Sequence, residues 1–177
     1  MLTDDAKDQL VEVISVAGEC VRQGATLPSL ILIYSALDAL GWLVDPEAHP
    51  SARLVFTAWV ERWLLASRPL PCTAAELYAA RCGVLHTFTA ASVDATKGKV
   101  RRIAYSWGGA SATELQSRLE LEAPGSSVAV DIDDLYDGLR LGAAQCFEDA
   151  LTDDMLSTTI ERKARLYFTA IWVERPS

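Results

Sequence analysis

Histidine is scarce in this chain: only two of its 177 residues, His49 and His86, are histidines. The sequence also lacks a phosphate-binding glycine loop, a Ser–His–Asp set and a dinucleotide-binding fingerprint. The four cysteines form no C-x-x-C pair, so no zinc site is predicted, and the composition favours a protein without metal or cofactor. The thiols predicted to be reduced and mostly buried are Cys20, Cys72, Cys82 and Cys146.

Basic residues are outnumbered by acidic ones. The chain has 16 Lys and Arg against 24 Asp and Glu, which gives a formal net charge of −8. A protein that binds nucleic acid non-specifically needs clustered Lys and Arg to neutralise phosphates. The composition therefore excludes that class of protein and limits any RNA contact to a short, local site.

Long uninterrupted apolar segments are missing as well. The N-terminal stretch Met1–Asp8 is acidic and has no apolar core, so it is not a secretory signal. The most apolar run, 27–44, is interrupted by Pro28, Asp38 and Gly41, which favours a buried core helix over a membrane span. These features predict a cytoplasmic protein with no membrane partner.

Length and composition predict a single domain over residues 1–177, because half of the residues are hydrophobic and can form a sizeable core. Apolar periodicity predicts four helices with short connections, which favours an antiparallel four-helix bundle within 5–92. These helices are expected at 5–22, 27–44, 52–67 and 73–92. Beyond residue 97, a small β hairpin or sheet and extra packing helices are predicted, with strands at 99–107 and 127–132 and helices at 112–122, 133–151 and 155–173. The sequence thus predicts a mainly α fold.

The most informative motif is Arg81-x4-His86. Histidine takes and gives a proton near neutral pH, and arginine matches the geometry of phosphate, so the pair suits chemistry on a phosphodiester. On an ideal helix a five-residue step leaves the two side chains about 140° apart. Contact between them therefore requires a curled arginine side chain, a local distortion at Gly83, or a partner residue from a second subunit.

This motif, on a late helix that follows an apolar helix with an embedded Asp38 and an aromatic-rich helix, resembles the HEPN superfamily of helical-bundle proteins. The resemblance covers about residues 5–92. It implies a metal-independent endoribonuclease of a toxin or defence system that acts as a homodimer with its site in the dimer cleft. It also implies a regulatory partner such as an antitoxin. His86 would then act as general base or acid, and Arg81 would stabilise charge on the phosphate.

Two positions depart from the HEPN pattern. Cys82 stands where catalytic members usually have Asn or Asp, and it is a candidate supporting residue of the site. Phe88 stands where one toxin branch has tyrosine, so modification of a tyrosine hydroxyl there is excluded. Asp38 is a second supporting candidate, because a buried acid would orient Arg81 or His86. Its alternative role is a structural ion pair or a solvated edge.

A small basic cluster beside Tyr105 and Trp107 is a candidate RNA contact, since aromatic rings stack on bases and cations pair with phosphates. Its members are Lys97, Lys99, Arg101 and Arg102. The alternative is an ordinary charged strand edge. For the whole chain, the alternative to a nuclease is a non-catalytic HEPN-like module that binds a protein or nucleotide partner or acts as a scaffold.

Overall fold

The computed structural model describes residues 4–46, 51–89 and 92–167, with side chains described for 8–46, 51–89 and 92–165. His49 and the end of the predicted helix 155–173 lie outside these ranges. The helix predicted over 73–92 ends earlier than expected, at Thr87, because Phe88 adopts a left-handed conformation. The described chain is mainly helical, as predicted. Its elements in order are α1 (Asp4–Arg22), α2 (Thr26–Val44), α3 (Ala52–Trp59), a π-helical segment (Val60–Leu64), α4 (Leu65–Ser67), α5 (Ala74–Thr87), α6 (Val93–Thr96), β1 (Arg102–Ser106), α7 (Ala112–Glu122), β2 (Ser127–Asp131), α8 (Ile132–Ala150) and α9 (Asp154–Tyr167).

Helix α2 is the central element of the fold. By length and composition alone it is apolar enough to cross a membrane, but half of its apolar window is buried within the protein. It packs against α1, α3, α5, α8 and α9, and Ile33, Leu37 and Leu40 are fully buried. The prediction of a buried core helix over this segment is confirmed.

The two strands form a parallel pair, so the predicted hairpin is wrong and the predicted small sheet is correct. Their register runs from Arg102 opposite Ser127 to Ser106 opposite Asp131. The reason is α7, which lies between the strands in sequence and packs against both of them. A helical crossover returns the chain to the end of the sheet at which β1 begins, so β2 runs parallel to β1. An antiparallel hairpin would instead need a tight turn between the two strands.

Helix α8 packs closely against the π-helical segment because it presents two glycines there. A Cβ atom on Gly142 would lie 3.0 Å from the backbone nitrogen of Leu64, and one on Gly138 would lie 3.1 Å from the Leu64 side chain. The backbones therefore approach more closely than larger residues allow. One hydrophobic core, from Leu10 to Ala164, includes residues from both the 5–92 and the 97–177 portions of the chain.

A buried lysine fastens α9 to the end of α2. Lys163 Nζ donates to the carbonyl oxygen of Trp42 (2.6 Å) and lies 3.8 Å from Asp45 Oδ2. Burial lowers the pKa of Lys163, and the charge of Asp45 offsets part of that effect. A cation at a helix C-terminus also interacts favourably with the helix dipole. Because Lys163 lies on α9 and Trp42 lies near the end of α2, the contact ties these two distant segments together.

Candidate active site at the C-terminal end of α5

Helix α5, which carries the Arg-x4-His motif, begins with the predicted capping box. The Glu76 N–H donates to Thr73 Oγ1 (3.2 Å), and the Thr73 N–H donates to Glu76 Oε2 (2.8 Å). Its buried face, which includes Leu77 and Val84, packs toward α2, α3 and β1. The helix is thereby fixed along its length, with His86 exposed in its last turn and Arg81 largely covered.

Asp38 on α2 holds the guanidinium of Arg81. Arg81 donates from Nε (2.7 Å) and pairs through Nη2 (2.5 Å) with the same oxygen, Asp38 Oδ2. The Arg81 side chain is 18% exposed and that of Asp38 is 27% exposed. Burial would lower the pKa of Arg81, but the hydrogen bonds and charge of Asp38 outweigh it and raise the pKa overall. Asp38 thus contacts Arg81, a geometry that fits both the orienting role and the structural ion pair that the sequence left open.

The two motif residues meet within one chain. Arg81 Nη1 lies 3.5 Å from His86 Nε2, although α5 is a regular α-helix through Thr87. The long arginine side chain therefore spans the angular separation, the first of the three routes that the spacing allowed. Because arginine donates only, the contact is a weak hydrogen bond when Nε2 is unprotonated. His86 itself is exposed to solvent.

Tyr78 and Arg53 belong to the same cluster and were missed from the sequence. The guanidinium carbons of Arg53 and Arg81 lie 5.6 Å and 5.9 Å from the centroid of the Tyr78 ring. Burial, followed by the neighbouring Cys82 thiol, raises the pKa of Tyr78. Cys82 also accepts a long contact of 3.9 Å from Arg81 Nη1. Tyr78 lies three residues before Arg81 and four residues before Cys82. On a helix this spacing brings side chains together, and it was the signal that could have identified Tyr78.

Two members of the predicted basic cluster, Arg101 and Lys99, pair with different acidic residues. Arg101 makes a two-pronged contact with Glu76, through Nε to Oε1 (2.6 Å) and Nη2 to Oε2 (3.1 Å). Lys99 Nζ lies 3.6 Å from Asp94 Oδ1. The other oxygen of the same carboxylate accepts a hydrogen bond from Arg53 Nη1. Arg102 is exposed at the start of β1. Arg101 is thus committed to the start of α5, while Lys99 and Arg102 face solvent.

The Glu76–Arg101 contact predicts a pH-dependent stability. Burial raises the pKa of Glu76, but hydrogen bonds from Arg101 and Thr73 lower it by more, so the pKa is lowered overall. The stabilisation is therefore present above the ordinary pKa of glutamate and is lost as pH falls through the lowered value. We expect Glu76→Gln to reduce the free energy of unfolding by about 1–2 kcal/mol at neutral pH, since Arg101 is partly exposed.

Urea unfolding of both proteins between about pH 7 and pH 3 measures this effect, because only the wild type should lose the Glu76 contribution on acidification. Glu114→Gln is a matched control. Glu114, like Glu76, stands three residues after an N-cap residue, here Ser111. Unlike Glu76 it is exposed, and the contact there is from its backbone N–H to Ser111 Oγ. Parallel pH profiles for wild type and Glu76→Gln would contradict the prediction.

A separate cavity of about 510 Å³ lies between the C-terminal end of α2, α3 and the π-helical segment. Its walls include Trp59 and Trp63, with Arg62 and Asp45 among the polar groups.

Within the part of the chain that the structure describes, no group of three or more His, Cys, Asp or Glu side chains is placed to hold a metal ion. All four cysteines are free thiols, and burial raises the pKa of Cys72 to about 12.

No protein-family model, curated protein or solved structure matches this chain.

Proposed function

We propose that this protein is a HEPN-like endoribonuclease that cleaves RNA at the Arg81–His86 pair without a metal ion. The observation that supports the proposal is an exposed imidazole, His86, whose Nε2 lies 3.5 Å from a guanidinium that Asp38 holds in place. Such a pair offers a proton acceptor or donor beside a fixed positive charge. These are the two requirements for transfer at a phosphodiester in which the ribose supplies the nucleophile.

In this mechanism the 2′-oxygen of RNA forms a bond to the adjacent phosphorus as the bond from phosphorus to the 5′-oxygen breaks. One histidine removes the 2′-hydroxyl proton, and a proton is delivered to the departing 5′-oxygen. Arg81 stabilises the charge that develops on the non-bridging phosphate oxygens. The products are a 2′,3′-cyclic phosphate and a 5′-hydroxyl. A homodimer that brings two His86 side chains to one cleft would supply both proton transfers.

The proposal includes the remaining expectations of the HEPN resemblance. They are a four-helix bundle within 5–92, a homodimer, a cytoplasmic location and a regulatory protein such as an antitoxin. The helix order supports the bundle, since an apolar helix with an embedded acid precedes an aromatic-rich helix and the motif helix α5. With a net charge of −8, RNA must be recognised through a short local contact.

The direct test is incubation of the protein with a mixed panel of fluorescent RNAs in EDTA, followed by analysis of the product ends. Cleavage that persists in EDTA and leaves cyclic phosphates is the expected result. Sedimentation analysis of the same sample establishes whether the active species is a dimer. An RNA panel left intact by a folded dimer would reject the nuclease proposal.

Asp38 is proposed as a positioning residue for Arg81. Replacing it with asparagine keeps the shape of the side chain but removes the charge that fixes the guanidinium. We expect kcat for RNA cleavage to fall by about 10- to 100-fold, because small displacements of a catalytic group are costly. Asp38→Glu should restore part of the activity. Loss of activity that merely follows a lower melting temperature in both variants would indicate a structural role instead.

The cavity at Trp59 and Trp63 favours the second candidate function, a non-catalytic module that binds a nucleotide. Its volume of about 510 Å³ falls within the range typical of small-molecule sites, and the exposed Arg62 at its wall supplies a charge suited to a phosphate. Trp59 (0% exposed) and Trp63 (3% exposed) lie buried behind this wall. Titration with nucleoside mono- and triphosphates should then change the tryptophan fluorescence. An unchanged signal over millimolar concentrations would remove this candidate.

A further inference from the structure

Phe88 ends the motif helix in a backbone conformation that is unfavourable for an aromatic residue. It has φ 52° and ψ 31°, and it is the only non-glycine residue with positive φ among the described residues. The left-handed region costs an L-residue with a Cβ atom roughly 1–2 kcal/mol. Helices α1 and α6 are followed by glycine in this region, at Gly24 (φ 70°) and Gly98 (φ 66°).

The turn around Phe88 is held by several hydrogen bonds. The Phe88 N–H donates to Val84 O (3.2 Å), and the Thr89 N–H donates to Gly83 O (3.4 Å). The Thr87 hydroxyl donates to Gly83 O (2.9 Å) and lies 2.8 Å from the Thr89 hydroxyl. These bonds fix the backbone on both sides of Phe88, and glycine would satisfy the same backbone geometry without strain.

The Phe88 side chain gains little from the fold in return, because 65% of its surface is exposed. A strained backbone and an exposed aromatic ring are two local costs at one residue, and strained residues of this kind cluster at functional sites. Phe88 also follows the exposed His86 after a single intervening residue. An exposed aromatic ring two residues along the chain from the proposed catalytic imidazole is suited to stacking of a nucleobase.

We propose that Phe88 is the stacking platform for one base of a single-stranded RNA, next to the phosphate that Arg81 and His86 engage. This inference rests on the proposed function and assigns its substrate as single-stranded rather than duplex RNA. Paired bases are stacked within their helix and cannot lie against the ring. Stacking would also allow an acidic protein to hold RNA locally, because the contact does not depend on a basic surface.

The test is fluorescence anisotropy with short single-stranded 2′-fluoro oligonucleotides, which lack the nucleophilic hydroxyl and so report binding alone. Phe88→Gly should bind roughly 5- to 100-fold more weakly than wild type, and its melting temperature should rise because the strain is removed. Phe88→Trp should bind close to wild type. Leu121→Ser, which removes another exposed apolar side chain (87% exposed), should leave binding unchanged.

A double comparison locates the stacked base. An oligonucleotide with one abasic position, moved along its length, should lose affinity for wild type at one position only. Phe88→Gly should be insensitive to that position, because the lost ring and the lost base remove the same contact. Loss at that position in both proteins would overturn the proposal.

The outcomes separate this inference from the proposed function. If wild type cleaves RNA and Phe88→Gly binds and cleaves equally well, stacking on Phe88 is rejected and the nuclease proposal stands. If Phe88→Gly instead converts a dimer to a monomer in sedimentation, the ring belongs to an interface between copies and the stacking proposal is overturned. Wild type that neither binds nor cleaves single-stranded RNA would overturn both proposals.

Discussion

Replacing His86 with alanine is expected to lower the rate of RNA cleavage by about 10²- to 10⁴-fold, the usual contribution of a positioned general acid or base. The free energy of unfolding should stay close to that of wild type, because His86 is exposed and its described contact is the 3.5 Å approach to Arg81. Initial cleavage rates on one RNA, together with urea unfolding of both proteins, measure the two effects separately.

Arg81 variants provide the comparison within the same site. Arg81→Ala removes the charge proposed to stabilise the phosphate and also the partner of Asp38, so we expect loss of both activity and stability. Arg81→Lys keeps a cation beside Asp38 but lacks the two-pronged guanidinium, and it should retain more stability than activity. Cleavage by His86→Ala at the wild-type rate would disprove the catalytic assignment. So would activity losses that only track the unfolded fraction.

The second large effect is expected at Lys163. Its side chain is 4% exposed and that of Asp45 is 6% exposed, so the charges face each other away from solvent. Replacing Lys163 with methionine leaves the buried carboxylate of Asp45 without this cation and removes the hydrogen bond to Trp42 O. We expect the free energy of unfolding to fall by about 3–5 kcal/mol, the usual cost of removing one partner of a buried ion pair. Urea unfolding with wild type in parallel measures the change.

Two variants serve as controls for this result. The double variant Asp45→Asn/Lys163→Met should be more stable than Lys163→Met alone, because the buried carboxylate that faces Lys163 is removed together with that cation. Arg162→Ala removes the neighbouring cation, which is exposed and donates to Pro46 O (3.1 Å), and should change stability by less than about 1 kcal/mol. If Lys163→Met and Arg162→Ala have equally small effects, the buried contact does not fasten α9.

Features set by neighbouring residues could be predicted from the sequence. The Thr73–Glu76 capping box was identified because both partners lie within one helical turn, and it forms as expected. The core position of α2 followed from a segment that is apolar nearly all round. The parallel pairing of β1 and β2 was missed, although a helix was expected between them, because strand direction depends on where α7 packs.

For the candidate site, the sequence identified Arg81 and His86 as candidate residues. It offered Asp38 as a residue that orients Arg81 or His86, or that forms a structural ion pair or a solvated edge. Tyr78 was missed although its helical spacing from Arg81 was visible in the sequence. Arg53 was missed, because its contact with Tyr78 joins α3 to α5 and has no local signature. Lys163, Trp42 and Asp45 were missed for the same reason: α9 must dock before its lysine meets the end of α2. Helices and caps arise from interactions within a few residues, and the sequence by itself determined them. The meeting of Arg81 with Asp38, the pairing of the strands and the burial of Lys163 depend on close packing between distant segments, and only the tertiary structure decided them.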